Sequence, residues 1–478
     1  MIAPLSSGYA LTSTIPNRLL LTLSLGEMPE AIPSLRACKK YGVHQCANID
    51  GGPIDRILRS FAGGARACRL HNSRTRVSER PHVCGARRYD EAEQISGVAR
   101  VLRIEIQDSS KLQHLLNALE QVPIVESVSP DQICISPFYS EDLTPLESVD
   151  NRVNEVQSWR SRELVRLPQA LGFEPGDPSV VIGLADTGVF STHNEFTQGL
   201  RRGFDTVDLT QAMVGSLQLV GDNRRFDESP ADEVGHGTGC AGILSAYGFQ
   251  LPPGVGGNCG LTPVRVLGAG LSNRRRIGIG ALSNIDAGMK RLIDLNVKVI
   301  NMSFGTAKSS LHDNAPTPHK EVVDYALSRD VILVAASGNS GIEEEYFPAA
   351  HPGVIAVGAV DDLGNPCQFS TRGKHVTLSA PGKKIWTSGI DGYQQVSGTS
   401  FAAPFVAGVC ALMASFALKR ALPFNSFDAA QVLRESARPF AQPKVQGYGA
   451  GVLDALSALQ TLSGKLNSHR YLQQSIGF

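Results

Sequence analysis

The strongest constraint on this chain is a series of short, unbroken apolar runs that recur between helical stretches in its second half. They are VVIGLA (180–185), PVRVL (263–267), VKVINMS (297–303), VILVAAS (331–337) and VIAVGAV (354–360). A strand with one wet face alternates apolar and polar residues, whereas a strand buried on both faces reads as a continuous run. These segments therefore predict an α/β fold: a mostly parallel sheet with helices on both faces. Helical stretches starting near His236, Gly278 and His319, and a long one from Ser400 to about Leu418, supply the covering layers. In such a sheet, reactive groups belong at the C-terminal ends of strands and at helix N-termini.

The 45 basic and 45 acidic side chains balance, so the 478-residue chain offers no long-range field to hold nucleic acid or an anionic membrane. No uninterrupted apolar run reaches about 18 residues, the length a membrane span needs. Neither nucleic acid nor membrane is expected as a partner. Nine cysteines leave at least one thiol unpaired within the chain, and their spacings match no zinc pattern. The apolar stretch from Leu19 to Leu25 is too short for a convincing export signal, which slightly favours a cytoplasmic location over secretion.

The length suits two to three domains. Residues 1–95 show no sustained period, and from Arg36 to Arg88 carry twelve Lys or Arg against Asp50, Asp55 and Glu79. This reads as a solvated basic arm, with a specific acidic partner as the alternative. Residues 96–140 form a small unit: the strand VLRIEI, a helix opening at Asp108 or Ser109 with Leu112, Leu115, Leu116 and Leu119 on one stripe, and a second strand, IVESVSPDQICIS. It is too small to be stable alone. Residues 141–156 read as a linker, 157–465 as the large α/β domain and 466–478 as a tail.

Four segments place reactive groups where the sheet would expose them. Asp186 ends the first strand in VVIGLADTG, His236 starts a helix in VGHGTGCAGIL, Asn339 lies in the loop VAASGNSG, and Ser400 sits in the first turn of the helix in VSGTSFAAPFVAGVCALM. A serine hydroxyl is a weak nucleophile at neutral pH, so a histidine must take its proton and later deliver it to the leaving group. A carboxylate must hold the ring in the working tautomer. The Asn339 amide and the Ser400 backbone N–H could together receive the developing oxyanion. Taken singly, each residue reads as a cap, a turn or a structural polar group; their conjunction reads as a catalytic site.

These segments resemble those of the subtilisin-like serine peptidases: DTG (186–188), HGT (236–238) and GTSFAAP (398–404) match the family's Asp, His and Ser motifs. The resemblance covers about residues 157–462 and implies a serine endopeptidase acting through an acyl-enzyme, with a peptide or protein substrate. It also implies that Ser303, Phe304 and Gly305, in NMSFG, and Ala336, Ser337 and Gly338 bind substrate, and that FPAAHPGVIAVGAV (347–360) lies behind the pocket for the residue preceding the cleaved bond. The unit at 96–140 resembles the family's small inhibitory and folding-assisting prodomain, implying self-cleavage between Ser136 and Glu141. The alternative function is a catalytically silent peptide-binding module of the same fold.

Three features depart from the compact members. Gly239 stands where many carry a second histidine. The segment between Asp186 and His236 is long and acidic at Asp222, Asp227, Glu228, Asp232 and Glu233, which reads as solvated loop or as a structural calcium site. Glu343, Glu344 and Glu345 either favour basic substrates or face water. No cofactor is expected for the chemistry and no metal ligand is assigned.

Overall fold

The computed structural model describes residues 14–27, 31–74, 89–136, 147–150, 152–196, 199–224, 226–272, 275–311, 315–442 and 445–476. The first 135 residues contribute β1 (Thr14–Leu23), α1 (Leu35–Tyr41), α2 (Pro53–Ala62), β2 (Ala65–Arg69), α3 (Glu91–Ile95), β3 (Val101–Ile106), α4 (Leu112–Glu120) and β4 (Val125–Ile135). Next come β5 (Glu147–Asp150), α5 (Glu155–Leu164), α6 (Leu167–Phe173), β6 (Val181–Asp186), β7 (Phe204–Asp205), β8 (Gln218–Leu219), α7 (His236–Ser245), β9 (Gly260–Arg265), β10 (Gly268–Ser272), β11 (Arg275–Ala281) and α8 (Leu282–Asp294). The chain closes with β12 (Val299–Met302), β13 (Thr306–Ala307), α9 (Lys320–Ser328), β14 (Ile332–Ala336), β15 (Tyr346–Phe347), β16 (Val354–Val360), β17 (Val376–Pro381), β18 (Ile385–Gly389), β19 (Gly392–Val396), α10 (Thr399–Leu418), α11 (Ser426–Ser436) and α12 (Ala455–Ile476).

All five apolar runs form strands of one parallel sheet, in the order β17-β16-β14-β12-β6-β9-β7. Their residues alternate between two cores. Ile182, Leu184, Val299, Ile332 and Val334 face α7 and α10, whereas Ala185, Ile300, Met302, Leu333 and Ala335 face α8 and α9. The helix α10 is long and apolar enough to cross a membrane, but 94% of its apolar window is buried inside the protein, as a core helix should be. Each large apolar side chain it seats there contributes about 1.5–3 kcal/mol.

The N-terminal region departs from its expected form. Residues 14–72, expected as an arm, carry four of the elements of a packed unit, and Leu19–Leu23 of the stretch considered as an export signal lie in β1, paired with β3 on one side and β4 on the other. Its strand character is hidden by Arg18, which is 2% exposed and neutralised by Asp131, Glu105 and Asp208 from far along the chain. Charges paired over such distances look like surface charges in sequence. The expected cap at Asp108 or Ser109 is displaced too: α4 starts at Leu112, and Asp108 instead closes a turn onto Ser110 N–H. Part of the expected linker pairs as β5 with β19, and most of the expected tail lies in α12.

The helix expected near Gly278 starts at Leu282, because 275–281 form β11 with Ile277, Ile279 and Ala281 in one apolar cluster. Intervening glycines mask that period of two. β11 pairs with β4, Ile135 opposite Ile279 and Ile133 opposite Ala281, so one seven-stranded sheet, β2-β3-β1-β4-β11-β10-β8, runs across both units. Asp131 caps α8, accepting from Ser283 N at 3.2 Å and Ser283 Oγ at 2.6 Å. The basic residues of α1 meet the acidic segment that follows Asp186: Lys39 pairs with Asp208 at 2.7 Å, and Arg36 and Lys40 with Glu228.

Between the units lies a cavity of about 50 Å³ lined by His71, Gln132, Asp286, His319 and Glu321, among others. Burial, and then the Lys290 cation, push the His71 imidazole down to about 3. A histidine held neutral in this way stabilises the fold fully above its ordinary value of 6.5, and that stabilisation is lost as pH falls toward 3, by at most about 1.4 kcal/mol per pH unit. Glu321 works in the opposite sense, since burial holds its carboxyl above the usual range. Urea unfolding of the uncut chain between pH 7 and 5 should show that His71→Leu shifts the dependence of stability on pH by about one proton, in the direction of less loss as pH falls. An unchanged slope would assign the effect to other groups.

Candidate active site

The residues expected to carry chemistry converge at the C-terminal edge of the parallel sheet. Asp186, the last residue of the interior strand β6, is fully buried and accepts Thr187 N–H at 2.7 Å. The same oxygen lies 2.5 Å from His236 Nδ1. His236 opens α7 behind Gly235, whose φ of 97° suits glycine, and its ring rests against Phe401 with centroids 5.0 Å apart. Close approach also fixes Gly237: a Cβ there would lie 2.2 Å from Gly188 O.

A carboxylate that sequence reading left in a loop organises these two segments. Asp232 accepts from Thr187 Oγ1 (2.9 Å), Val234 N (2.8 Å), Gly235 N (2.9 Å), Thr238 N (2.9 Å) and Thr238 Oγ1 (2.6 Å). Burial pushes its carboxyl up, and the Thr238, Gly235 and Val234 donors pull the other way. Its position four residues before His236 was the available signal. The other acids of that segment are also engaged: Glu233 with Arg265 at 2.7 Å, Glu228 with Arg291 at 2.7 Å, Asp227 with Ser229 N–H and Asp222 with Arg224 N–H.

Ser400 is the second residue of α10, fully buried, and its Oγ donates to Ser303 O at 3.3 Å. Ser303 Oγ returns a bond to Ser400 O at 2.7 Å, and Cys240 Sγ reaches the same carbonyl at 3.4 Å. Cys240, Asp186 and His236 lie close enough to chelate a cation. However, burial and the nearby Asp186 charge hold the Cys240 thiol well above its ordinary pKa, so it is a thiol donor here and a poor ligand.

Asn339 Oδ1 accepts both Thr399 N and Thr399 Oγ1 at 2.9 Å, which turns the amide nitrogen the other way. Asn339 Nδ2 and Ser400 N lie 3.5 and 3.8 Å from one point beside Gly398, the place a Cβ would occupy. Both nitrogens, with Phe401 Cδ2 at 3.7 Å, thus border the place where a side chain on residue 398 would stand, and the Gly398 φ of 147° suits glycine there.

The expected substrate-binding segments flank this space, though not all their side chains do. Phe304 is 1% exposed and packs in the core against His319; Ser337 donates to Thr371 O at 3.0 Å. Ala336 ends β14 in the core, and Gly338 N donates to Thr399 Oγ1 at 3.2 Å. Gly305 O accepts from Cys134 Sγ at 3.6 Å. The space beside Gly239 is taken by Gln394 and Phe401. Of the three glutamates, Glu345 pairs with Lys308 at 2.6 Å and Glu344 with Ser309 Oγ.

Known proteins resemble this chain. The sequence model described as "Subtilase family" matches residues 177–449, more than half of the chain. A thermostable alkaline protease of Halalkalibacterium halodurans is 30% identical over 58% of this chain and 73% of its own length. Thermitase of Thermoactinomyces vulgaris is 32% identical over 52% of this chain and 80% of its own. Among solved structures, a prenylagaramide maturation protease aligns with a TM-score of 0.50 at 27% identity, covering 62% of this chain and 98% of its own. The epidermin leader-peptide-processing serine protease of Staphylococcus aureus aligns at 0.58 and 22% identity over 76% of this chain and 91% of its own, a likeness of fold. With the family matched over most of the sheet and over every segment described above, this chain belongs to the subtilase family and is a serine-type endopeptidase.

Proposed function

We propose that this peptidase cleaves peptide bonds through an acyl-enzyme formed on Ser400, with His236 as general base and then general acid, and Asp186 holding its tautomer. The observation that carries the reading is the 2.5 Å contact between His236 Nδ1 and a fully buried Asp186 carboxylate. That contact fixes the proton on Nδ1 and leaves Nε2 as the base. Attack by Ser400 Oγ on the substrate carbonyl forms a tetrahedral oxyanion, which Asn339 Nδ2 and Ser400 N–H stabilise. Collapse expels the amine with the proton carried by His236, and water then repeats the sequence to release the acid. The silent-module alternative loses ground because all four groups are present and supported by buried partners.

The N-terminal unit acts in this reading as the enzyme's own folding template and inhibitor, removed by self-cleavage. Its last strand supports this. Ser136 N donates to Gly278 O at 2.8 Å, so β4 continues extended along the β11 edge, and Cys134 Sγ of the same strand lies 3.6 Å from Gly305 O. The expected cut between Ser136 and Glu141 falls almost wholly outside the described residues. Intact mass of the purified chain tests the reading: wild type should lose its N-terminal unit, whereas His236→Ala should stay whole. Equal processing of both chains would refute self-cleavage.

A further inference from the structure

Two main-chain walls flank Ser400, and a side chain stands between them. Ser400 Oγ is bonded to Ser303 O on one wall, and Thr399 Oγ1 donates to Gly338 O on the other at 3.2 Å. The intruding side chain is Tyr346. A Cβ built on Gly338 would lie 2.8 Å from Tyr346 Cδ2 and Cε2, and one built on Gly305 would lie 3.4 Å from Tyr346 Cδ1. The ring therefore lies against both glycine backbones at once.

It is held there from two directions. β13 and β15 pair antiparallel, Ala307 opposite Tyr346 and Thr306 opposite Phe347, which fixes its backbone to the end of the first wall. On the other side its ring packs against the Gly338 backbone of the second wall. Burial, with Glu344 nearby, pushes the phenol up to about 12, so it stays neutral at working pH.

This bears on substrate choice, and rests on the catalytic reading above. A peptide whose carbonyl carbon is at Ser400 Oγ, and whose carbonyl oxygen points to Asn339 Nδ2 and Ser400 N, directs the side chain preceding the cleaved bond between these same walls. We propose that Tyr346 is the specificity-determining residue of this peptidase, filling the floor of that pocket so that the enzyme selects a small residue, Gly, Ala or Ser, on the acyl side of the cleaved bond. A large aromatic or branched side chain would have to displace a ring packed between the two walls, and overpacking of this kind is costly.

The test is cleavage-site profiling of the processed enzyme on a peptide library varied at that position, for wild type, Tyr346→Gly and Tyr346→Phe. Each preparation is first titrated with a fluorophosphonate, so that rates refer to competent sites. The expected wild-type kcat/KM for Ala exceeds that for Phe or Leu by about 100-fold, a discrimination that steric pockets reach. Tyr346→Gly should shift that ratio toward Phe and Leu by about 100-fold, and Tyr346→Phe, which keeps the ring, should hold it near wild type. A wild type that cleaves after Phe or Leu as readily as after Ala overturns the proposal, and this result decides it even if Tyr346→Gly fails to fold. A titratable Tyr346→Gly enzyme with the wild-type profile overturns it as well. A wild type that cannot be titrated overturns it by another route, through the Ser400 chemistry on which it rests.

Discussion

Replacing Asp186 by Asn is expected to lower kcat by about 10⁴-fold with little change in KM, and to leave the fold intact. The two side chains are nearly isosteric, so the amide can occupy the same fully buried site at the end of β6. The change lies in the proton. Asp186 Oδ1 already takes Thr187 N–H, and that bond obliges the amide oxygen of the variant to stay there. His236 Nδ1 then faces an acceptor that carries no charge, and the imidazolium formed as Ser400 attacks loses its compensating partner. An amide turned the other way does worse, because its N–H₂ fixes the tautomer with the proton on Nε2, which cannot then accept one from serine. Thermal unfolding beside steady-state kinetics checks the distinction: lost kcat at unchanged Tm supports the assigned role, and parallel losses would make Asp186 a structural residue.

Asp232→Ala should be costly in a different way. It removes the common acceptor of five donors contributed by Thr187, Val234, Gly235 and Thr238, in a region closed to water. Loss of one member of a buried charged network destabilises by about 3–5 kcal/mol, since the donors left behind stay desolvated. Because Thr187 adjoins Asp186 and Gly235 adjoins His236, the released segments also carry the carboxylate and the ring away from each other. A displacement of about 1 Å costs roughly 10²-fold in rate. Chemical denaturation should show the stability loss, and Asp232→Asn, which keeps one acceptor in place, should recover part of both. Wild-type stability in Asp232→Ala would rule out the organising role.

The sheet was legible because its strands are buried on both faces, so Val299–Met302 and Ile332–Ala336 appear as runs that nothing else explains. The Asp, His, Asn and Ser segments were legible because each reactive residue stands beside glycines at a strand or helix end. The N-terminal unit was not. Its strands are stabilised by Arg18 and Arg103, fully buried against Asp131 and Asp208, and local reading assigns such arginines to the surface. The same cause hid the meeting of the basic α1 with the acidic segment after Asp186, two charge biases read separately as solvated. Asp232 and Tyr346 were missed for a further reason: what each does depends on the distance between backbones brought together only by folding.

The central claim is that Ser400 is the nucleophile activated by His236. Site-resolved mass spectrometry of the purified enzyme after reaction with a fluorophosphonate tests it most directly. A single adduct at Ser400 in wild type, absent from His236→Ala, is the predicted result. An adduct on another serine, or labelling of Ser400 that persists undiminished without His236, would contradict it.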